Sequence, residues 1–288
     1  MAHGMFLGFG ITQLVIPVIF VPIYARLIHI FISKEKYRKL ECYVIMIQMG
    51  FMQIAFGLGV FLLGLYHTFD FNPFSFADYV MNLMSTVVRA EGFLSYILAL
   101  NRLTIICQLK LSKAIFTTLN SLCWLYTIGH FALFCTPWSQ YAASPGHYMA
   151  TLDLTLPYSK LFHTTAGYFY EFILLCTFLT YVYLVVYLLY VKAKNRTLKD
   201  FNREAKILTY AGIRFVIDSL LSVVYHYVSL PKGSTASFVL LMTYTASNII
   251  LPPGLYLGLY SSIRDEFLRF RQNRKISVIK TTSVSARG

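Results

Sequence analysis

The chain has 288 residues, of which 57% are hydrophobic and only 13% are charged, and its net charge is +13. A soluble domain carries about 25% charged residues, so this composition excludes an ordinary water-soluble domain and predicts one bilayer-embedded unit. The five cysteines are scattered singly, without a CxxC pair or the spacing of a disulfide framework, so redox and metal motifs are not indicated.

Seven apolar segments are long enough to cross about 30 Å of hydrocarbon as helices, which takes about 20 residues each. In chain order they are 7–32, 43–66, 80–106, 115–135, 164–191, 206–230 and 236–259. The predicted fold class is therefore an all-α membrane protein, with a seven-transmembrane helix bundle over residues 1–260. A short amphipathic helix is predicted at 261–272, with Ile263, Phe267 and Phe270 toward lipid, and a cytoplasmic tail at 273–288.

The basic residues are distributed unequally between the two sets of loops. Nineteen of the 25 Lys and Arg lie in the links 33–42, 107–114 and 192–206 or after residue 260, whereas the opposite loops contain two. Cytoplasmic loops carry the excess of Lys and Arg, which predicts an external N-terminus and a cytoplasmic C-terminus. The positive charge is thus a topology signal, and no nucleic-acid partner is expected. The glycosylation sequon at Asn195 falls on the cytoplasmic side by this count and should stay unmodified.

Polar residues inside the third and fifth spans predict a ligand site. Such groups are costly in hydrocarbon and usually face the interior of a bundle. Asn82, Ser85 and Arg89 follow helical spacing, and Tyr168 precedes Glu171 by about one turn. Arg89 and Glu171 lie roughly 14 Å and 10 Å from the outer ends of their spans at 1.5 Å per residue. The five residues predict ligand contact in the outer half of the bundle. A purely structural ion pair between Arg89 and Glu171 explains the pattern equally well.

The sixth and seventh spans carry two further features. Arg214 and Asp218 are spaced i,i+4 on one helix face, which predicts an intrahelical ion pair that lowers the cost of insertion. Pro252-Pro253-Gly254 predicts a kink in the seventh span, because proline removes a backbone donor and clashes with the preceding turn.

The sequence contains no evident motif of an enzyme or of a carrier. The seven histidines form no HxxH or HExxH cluster, and no Gly-x-Ser-x-Gly sequence occurs, so no metal, cofactor or catalytic residue is expected. The chain also lacks an evident inverted repeat or a pair of Gly/Pro-broken helices at matching positions, which many transporters have.

Four stretches carry a resemblance to a known family. They are ECYVIMIQMG at the second span, SYILALNRL at the end of the third, REAKILTYAGIRFVID in the sixth and NIILPPGLYLGLYSSIRDEF at the end of the seventh. With these stretches the chain resembles a heptahelical G-protein-coupled receptor, specifically a nematode serpentine chemoreceptor. The resemblance is to the superfamily and does not select among its classes T, XA, V and X.

The resemblance implies a switch at the inner face. Asn101-Arg102 stands where such receptors carry their Asp/Glu-Arg-Tyr element, and Pro253 and Tyr256 stand where the Asn-Pro-x-x-Tyr element falls. These four residues are the expected G-protein-coupling switch. A plainer reading makes Arg102 an anchor that extends to the lipid headgroups.

The sequence departs from the family pattern at three places. Asn101 cannot ionise, Pro252 replaces the Asn before Pro253, and neither the outer end of the third span nor residues 136–163 contain the cysteines of the usual disulfide.

The implied function is chemosensory. Such a receptor would bind a small molecule in the outer half of the bundle and activate a heterotrimeric G protein, with membrane lipids around it in the plasma membrane of a sensory cilium. Two alternatives remain open from the residues alone. One is a carrier or channel subunit with the same number of helices, and the other is an orphan that folds without signalling.

Overall fold

The structure is a computed structural model that describes residues 2–69, 72–143, 148, 151–194, 201–228, 231 and 233–268. The sequon at Asn195, the tail at 273–288 and the last residues of the predicted amphipathic helix lie outside the described residues.

Seven long helical segments in this part of the chain form an all-α bundle, which confirms the predicted fold class. The first six are Ala2–Ser33 (α1), Glu41–Phe69 (α3), Phe76–Ile106 (α4), Lys113–Phe134 (α5), Ser159–Lys194 (α6) and Phe201–Tyr227 (α7), with a one-turn helix Glu35–Arg38 (α2) after the first. The seventh consists of Thr235–Thr245 (α8), a π-helical turn Ala246–Ile250 and Leu251–Leu259 (α9). Two short strands, Tyr141–Ala142 (β1) and Thr151–Leu152 (β2), pair antiparallel between α5 and α6.

The two ends of the bundle contain different elements, and each end is named after them. The basic end contains α2, the link 107–112 and a helical stretch at 261–268 (α10), and the hairpin end contains β1 and β2. Helix α4 is central, since it packs against α3, α5, α6 and β1. Among the described residues, five helical segments are long and apolar enough to cross a membrane by length and composition. They are Leu7–Ser33, Glu41–Phe69, Pro73–Ile106, Ser159–Val191 and Thr235–Leu259.

Glycines spaced seven residues apart bring α1 and α3 together. A Cβ atom added to Gly50 would lie 2.7 Å from Ile28 Cδ1, and one added to Gly57 would lie 2.6 Å from Val21 Cγ2. A Cβ at Gly64 would also be within 3.0 Å of α1. Small residues at membrane helix interfaces let backbones approach closely. These glycines therefore set the close packing of α1 on α3.

The seventh helix widens just before its two prolines. Pro252 and Pro253 cannot donate to the carbonyls of Asn248 and Ile249, and their rings crowd the preceding turn. The helix responds with the π-helical turn at Ala246–Ile250, within which Ser247, Asn248 and Ile249 are buried. The proline pair thus perturbs the helix by widening the turn before it, at the level of the bundle's polar interior.

Helix α10 docks on the bundle and does not face lipid with its predicted apolar side. Ile263 is fully buried, and the Arg26 guanidinium of α1 lies 4.3 Å from the centre of the Phe267 ring and donates a hydrogen bond to the Phe267 carbonyl. Lys36 of α2 pairs with Glu266, and this hydrogen bond raises the pKa of Lys36. The expectation that Ile263 contacts lipid is therefore wrong, because α1 and α2 provide a protein surface for it. Phe267 is half-buried beside Arg26, and Phe270 lies outside the described residues.

Candidate ligand-binding site

A cavity of about 100 Å³ lies between α3, α4, α6, α7 and α8 in the hairpin half of the bundle. Its apolar wall consists of Phe56, Met81, Met84, Val88 and Leu241, and its polar wall consists of Ser85, Arg89, Tyr170, Ser222, Tyr225 and Tyr244. A mainly apolar cavity with a few converging polar groups is the usual form of a small-molecule site.

Among the described residues that line this cavity, Arg89 is the only charged one, and its side chain is held in place by one turn of its own helix. It is 6% exposed, and its Nη1 donates to the Ser85 carbonyl at 3.1 Å and to the Ser85 hydroxyl. Its Nη2 lies 3.4 Å from the Tyr141 hydroxyl, and its Nε is buried without a hydrogen-bond partner. The i,i+4 spacing of Ser85 and Arg89, evident in the sequence, makes this arrangement possible.

The loop after α5 closes the hairpin end above Arg89. The Asn82 side chain donates to the Phe134 carbonyl at 2.7 Å and accepts from the Tyr141 backbone N–H at 3.0 Å. The Tyr141 hydroxyl also lies 2.7 Å from His163 Nδ1 of α6. Tyr141 is 1% exposed, so it forms a buried link between the loop, α4 and α6.

A second contact holds the same loop to the start of α4. The Ala143 backbone N–H donates to the Asp78 carboxylate at 2.6 Å. On the far side of the loop, the Tyr148 ring packs edge-on against Phe9 of α1 and Phe238 of α8, with ring centres 4.9 Å and 5.5 Å away. The loop is therefore anchored on both sides of the hairpin end.

The structure brings together three of the five residues predicted to bind ligand. Ser85 and Arg89 line the cavity, and Asn82 positions the loop beside it. Tyr168 is 68% exposed on the outer surface of α6, and the Glu171 carboxylate accepts a hydrogen bond from the Tyr227 hydroxyl at 2.9 Å. Among the described side chains, no ion pair joins Arg89 to Glu171. Glu171 lies along α6 at a depth similar to that of the cavity, but its side chain contacts Tyr227 and does not line the cavity.

A buried polar network lies beneath the cavity and crosses four helices. Glu91 of α4 accepts hydrogen bonds from Gln53 of α3 and from Arg214 of α7. Arg214 Nε also donates to the Asp218 carboxylate at 3.3 Å, as the i,i+4 spacing predicts. Asp218 in turn accepts from the Ser247 hydroxyl of the π-helical turn at 3.0 Å. The network joins α3 and α4 to the irregular part of the seventh helix.

Asn101 and Arg102 are both buried at the basic end. Asn101 is 3% exposed and donates from Nδ2 to the Glu41 carboxylate at the start of α3, at 3.2 Å. Arg102 is 9% exposed. A side chain that is buried to this degree packs against protein, whereas an arginine that extends to the headgroups exposes its guanidinium at the surface.

Tyr256 lies in an aromatic cluster at the same end. Its ring centre is 5.9 Å from that of Phe31 and 6.5 Å from that of Tyr24, both in α1. Phe31 also contacts Tyr37 of α2 and Tyr43 of α3. Pro253 is buried one turn before Tyr256. Tyr256 therefore faces α1, and Phe31 of α1 in turn contacts the first basic link through Tyr37.

Sequence reasoning missed Tyr141 and the partnership of Glu91 with Arg214. No signal in the loop sequence marks Tyr141, since a lone tyrosine between small residues is ordinary. Glu91 is marked in the sequence only as an acidic residue inside a predicted span, and nothing in the sequence identifies Arg214 as its partner. In the part of the chain that the structure describes, no three His, Cys, Asp or Glu side chains gather as metal ligands would.

Comparison with known proteins identifies the architecture. The chain is similar to the crystal structure of squid rhodopsin, with a TM-score of 0.72 and 14% sequence identity, covering 93% of this chain and 85% of that one. No family model matches the sequence, and no curated protein matches it. At this identity the likeness establishes the fold, a rhodopsin-like seven-helix membrane bundle.

Proposed function

We propose that this rhodopsin-like bundle is a chemosensory G-protein-coupled receptor. In this proposal a small molecule binds in the cavity at the hairpin half, and a heterotrimeric G protein binds at the basic end. The observation that carries the proposal is the cavity with a single buried guanidinium, Arg89, in its wall. Burying an arginine in a membrane bundle is costly, and such residues usually mark a functional site.

Signal transmission is proposed to pass through the buried network beneath the cavity. Arg89 and Glu91 are two residues apart on α4, so the cavity and the network are separated by roughly 3 Å along the helix axis. The network reaches Ser247 in the π-helical turn, and π-helical turns often occur at functional sites. A ligand that displaces α4 or α7 therefore acts directly on the part of the seventh helix that precedes Pro253 and Tyr256.

The G-protein contact is proposed to involve Asn101, Arg102, Pro253 and Tyr256. Arg102 lies eleven residues beyond Glu91, roughly 16 Å farther along α4. A guanidinium that packs against protein near a helix end can make one set of contacts in one receptor state and another set in a second state. A two-state receptor needs such a contact, with its equilibrium biased by a ligand at the other end of the bundle.

Orientation and location are part of the proposal. The excess of Lys and Arg in the links of the basic end supports a cytoplasmic position for that end and an external N-terminus. The family resemblance supports a nematode chemoreceptor of a sensory cilium. No catalytic residue, metal or cofactor is assigned.

Ligand-dependent G-protein activation tests the proposal. The full chain would be expressed in a heterologous cell with a panel of volatile and water-soluble odorants, and G-protein activation would be recorded together with membrane current. A ligand response that Arg102→Ala abolishes at normal surface density supports the receptor. A ligand-gated current or substrate flux without G-protein activation instead supports the channel or carrier alternative, and a well-folded chain that binds ligands but gives no output is the non-signalling orphan.

A further inference from the structure

We propose that the ligand of this cavity is a monocarboxylic acid with an apolar tail, and that its carboxylate pairs with Arg89. This inference rests on the proposed function, because it names the chemical class of the ligand of the same site. The observation behind it is a buried cation without a counterion among the described side chains, in a cavity whose other described lining residues are neutral.

The charge of Arg89 is not compensated by any described side chain. Its hydrogen-bond partners are the carbonyl and hydroxyl of Ser85 and the hydroxyl of Tyr141, all neutral groups. The nearby carboxylate of Glu91 is engaged by Arg214 and Gln53. A buried charge without a partner is strongly unfavourable, and the arrival of an opposite charge relieves that cost. The cavity therefore favours an anionic group over a cationic or a neutral one.

The unused donors of Arg89 suit a carboxylate in particular. Ser85 occupies Nη1, whereas Nε is buried without a partner and Nη2 makes one long contact of 3.4 Å. The Nε–H and one Nη2–H of a guanidinium lie parallel along one edge, and the two oxygens of a carboxylate accept both in a fork. A single planar acid group thus matches the edge that the protein leaves unused.

The rest of the cavity suits an apolar tail. Met81, Met84, Val88 and Leu241 contribute hydrophobic wall, and Phe56 adds an aromatic ring. Burial of each methylene group in such surroundings contributes about 0.8 kcal/mol. Methionine side chains adapt their shape readily, so tails of more than one length should be accepted. A second charged group on the ligand would have no partner among the side chains that line this cavity.

Direct binding to the purified full chain tests the inference. The probes are the linear carboxylates from acetate to decanoate, each compared with the alcohol and the amine of the same chain length, and calorimetry or saturation-transfer NMR measures affinity. We expect at least one carboxylate to bind more tightly than its alcohol and its amine. Equal affinity for the three head groups, or no binding of any carboxylate at millimolar concentration, would overturn the inference.

Variants at Arg89 test whether ligand binding depends on the charge of this side chain or on its shape. We expect Arg89→Gln to weaken carboxylate binding roughly tenfold to a hundredfold, since a hydrogen bond to a charged group is lost. Arg89→Lys should keep the preference for the acid over the alcohol, because the cation remains. Arg38→Gln makes the same chemical change at an exposed site on the basic end and should leave the affinity unchanged. An Arg89→Gln variant that folds and binds acids as the parent does contradicts the proposal.

The outcome also separates this inference from the proposed function. Arg89-dependent acid binding without G-protein activation leaves the ligand class standing and removes the receptor proposal. G-protein activation only by neutral or cationic compounds keeps the receptor and removes the acid.

Discussion

The strongest prediction concerns Arg214, the only cation among the described residues of the buried network beneath the cavity. Its side chain is 4% exposed and pairs with Glu91, which is 5% exposed, and with Asp218. Replacement of Arg214 by Gln leaves the buried carboxylate of Glu91 and the partly buried carboxylate of Asp218 without a cation, and breaking a buried pair in this way costs about 3–5 kcal/mol. By the usual relation between free energy and melting temperature, the apparent Tm should fall by on the order of 10 °C.

The assay is thermal denaturation of the purified protein in detergent, followed by fluorescence-detected gel filtration. Glu91→Gln serves as the matched variant, since the amide keeps the shape of the acid and Arg214 retains Asp218. Its cost should be about 1–2 kcal/mol. The triple variant Glu91→Gln, Arg214→Gln, Asp218→Asn carries no charge and should recover most of the stability lost in the single Arg214 variant. Equal losses for Arg214→Gln and Glu91→Gln, or a triple variant no better than Arg214→Gln, would refute the reasoning.

Three further predictions address packing, coupling and topology. Gly92→Ala should destabilise the bundle by about 1–3 kcal/mol in the same thermal assay, because the added Cβ would lie 2.4 Å from the Tyr170 ring, whereas Gly129→Ala, with nothing within 4 Å, should not. Arg102→Lys should impair G-protein activation at normal surface density, and full signalling would remove Arg102 from the proposed switch. Asn195 should stay unglycosylated during translation into microsomes, and its modification would reverse the orientation.

The apolar runs of the sequence predicted the bundle well, because helix formation in a membrane depends on local composition. Each backbone group must be satisfied within its own segment, so a long apolar run is sufficient to specify a helix. The Arg214–Asp218 pair was predictable for the same reason, since both residues lie on one helix and their spacing alone decides whether they meet.

Contacts between helices were not predictable. The sequence gives the depth of a residue along its helix, but it does not give the rotation of each helix about its own axis. Glu171 lies at a suitable depth for Arg89 and yet contacts Tyr227. Glu91 meets Arg214, 123 residues farther along the chain, only because α4 and α7 turn these faces toward each other. The position of Tyr141 depends on a loop whose path no periodicity describes.

The way in which the loop is attached beside the cavity has a consequence for how the protein can be produced and handled. All five cysteines are free thiols, and the loop is held instead by backbone and side-chain hydrogen bonds to Asp78 and Asn82. Each such bond contributes about 0.5–1.5 kcal/mol, and none of these attachments depends on the oxidation of a thiol. We therefore expect the protein to fold and keep its site in reducing cell-free synthesis, and dithiothreitol to leave its affinity for ligand unchanged.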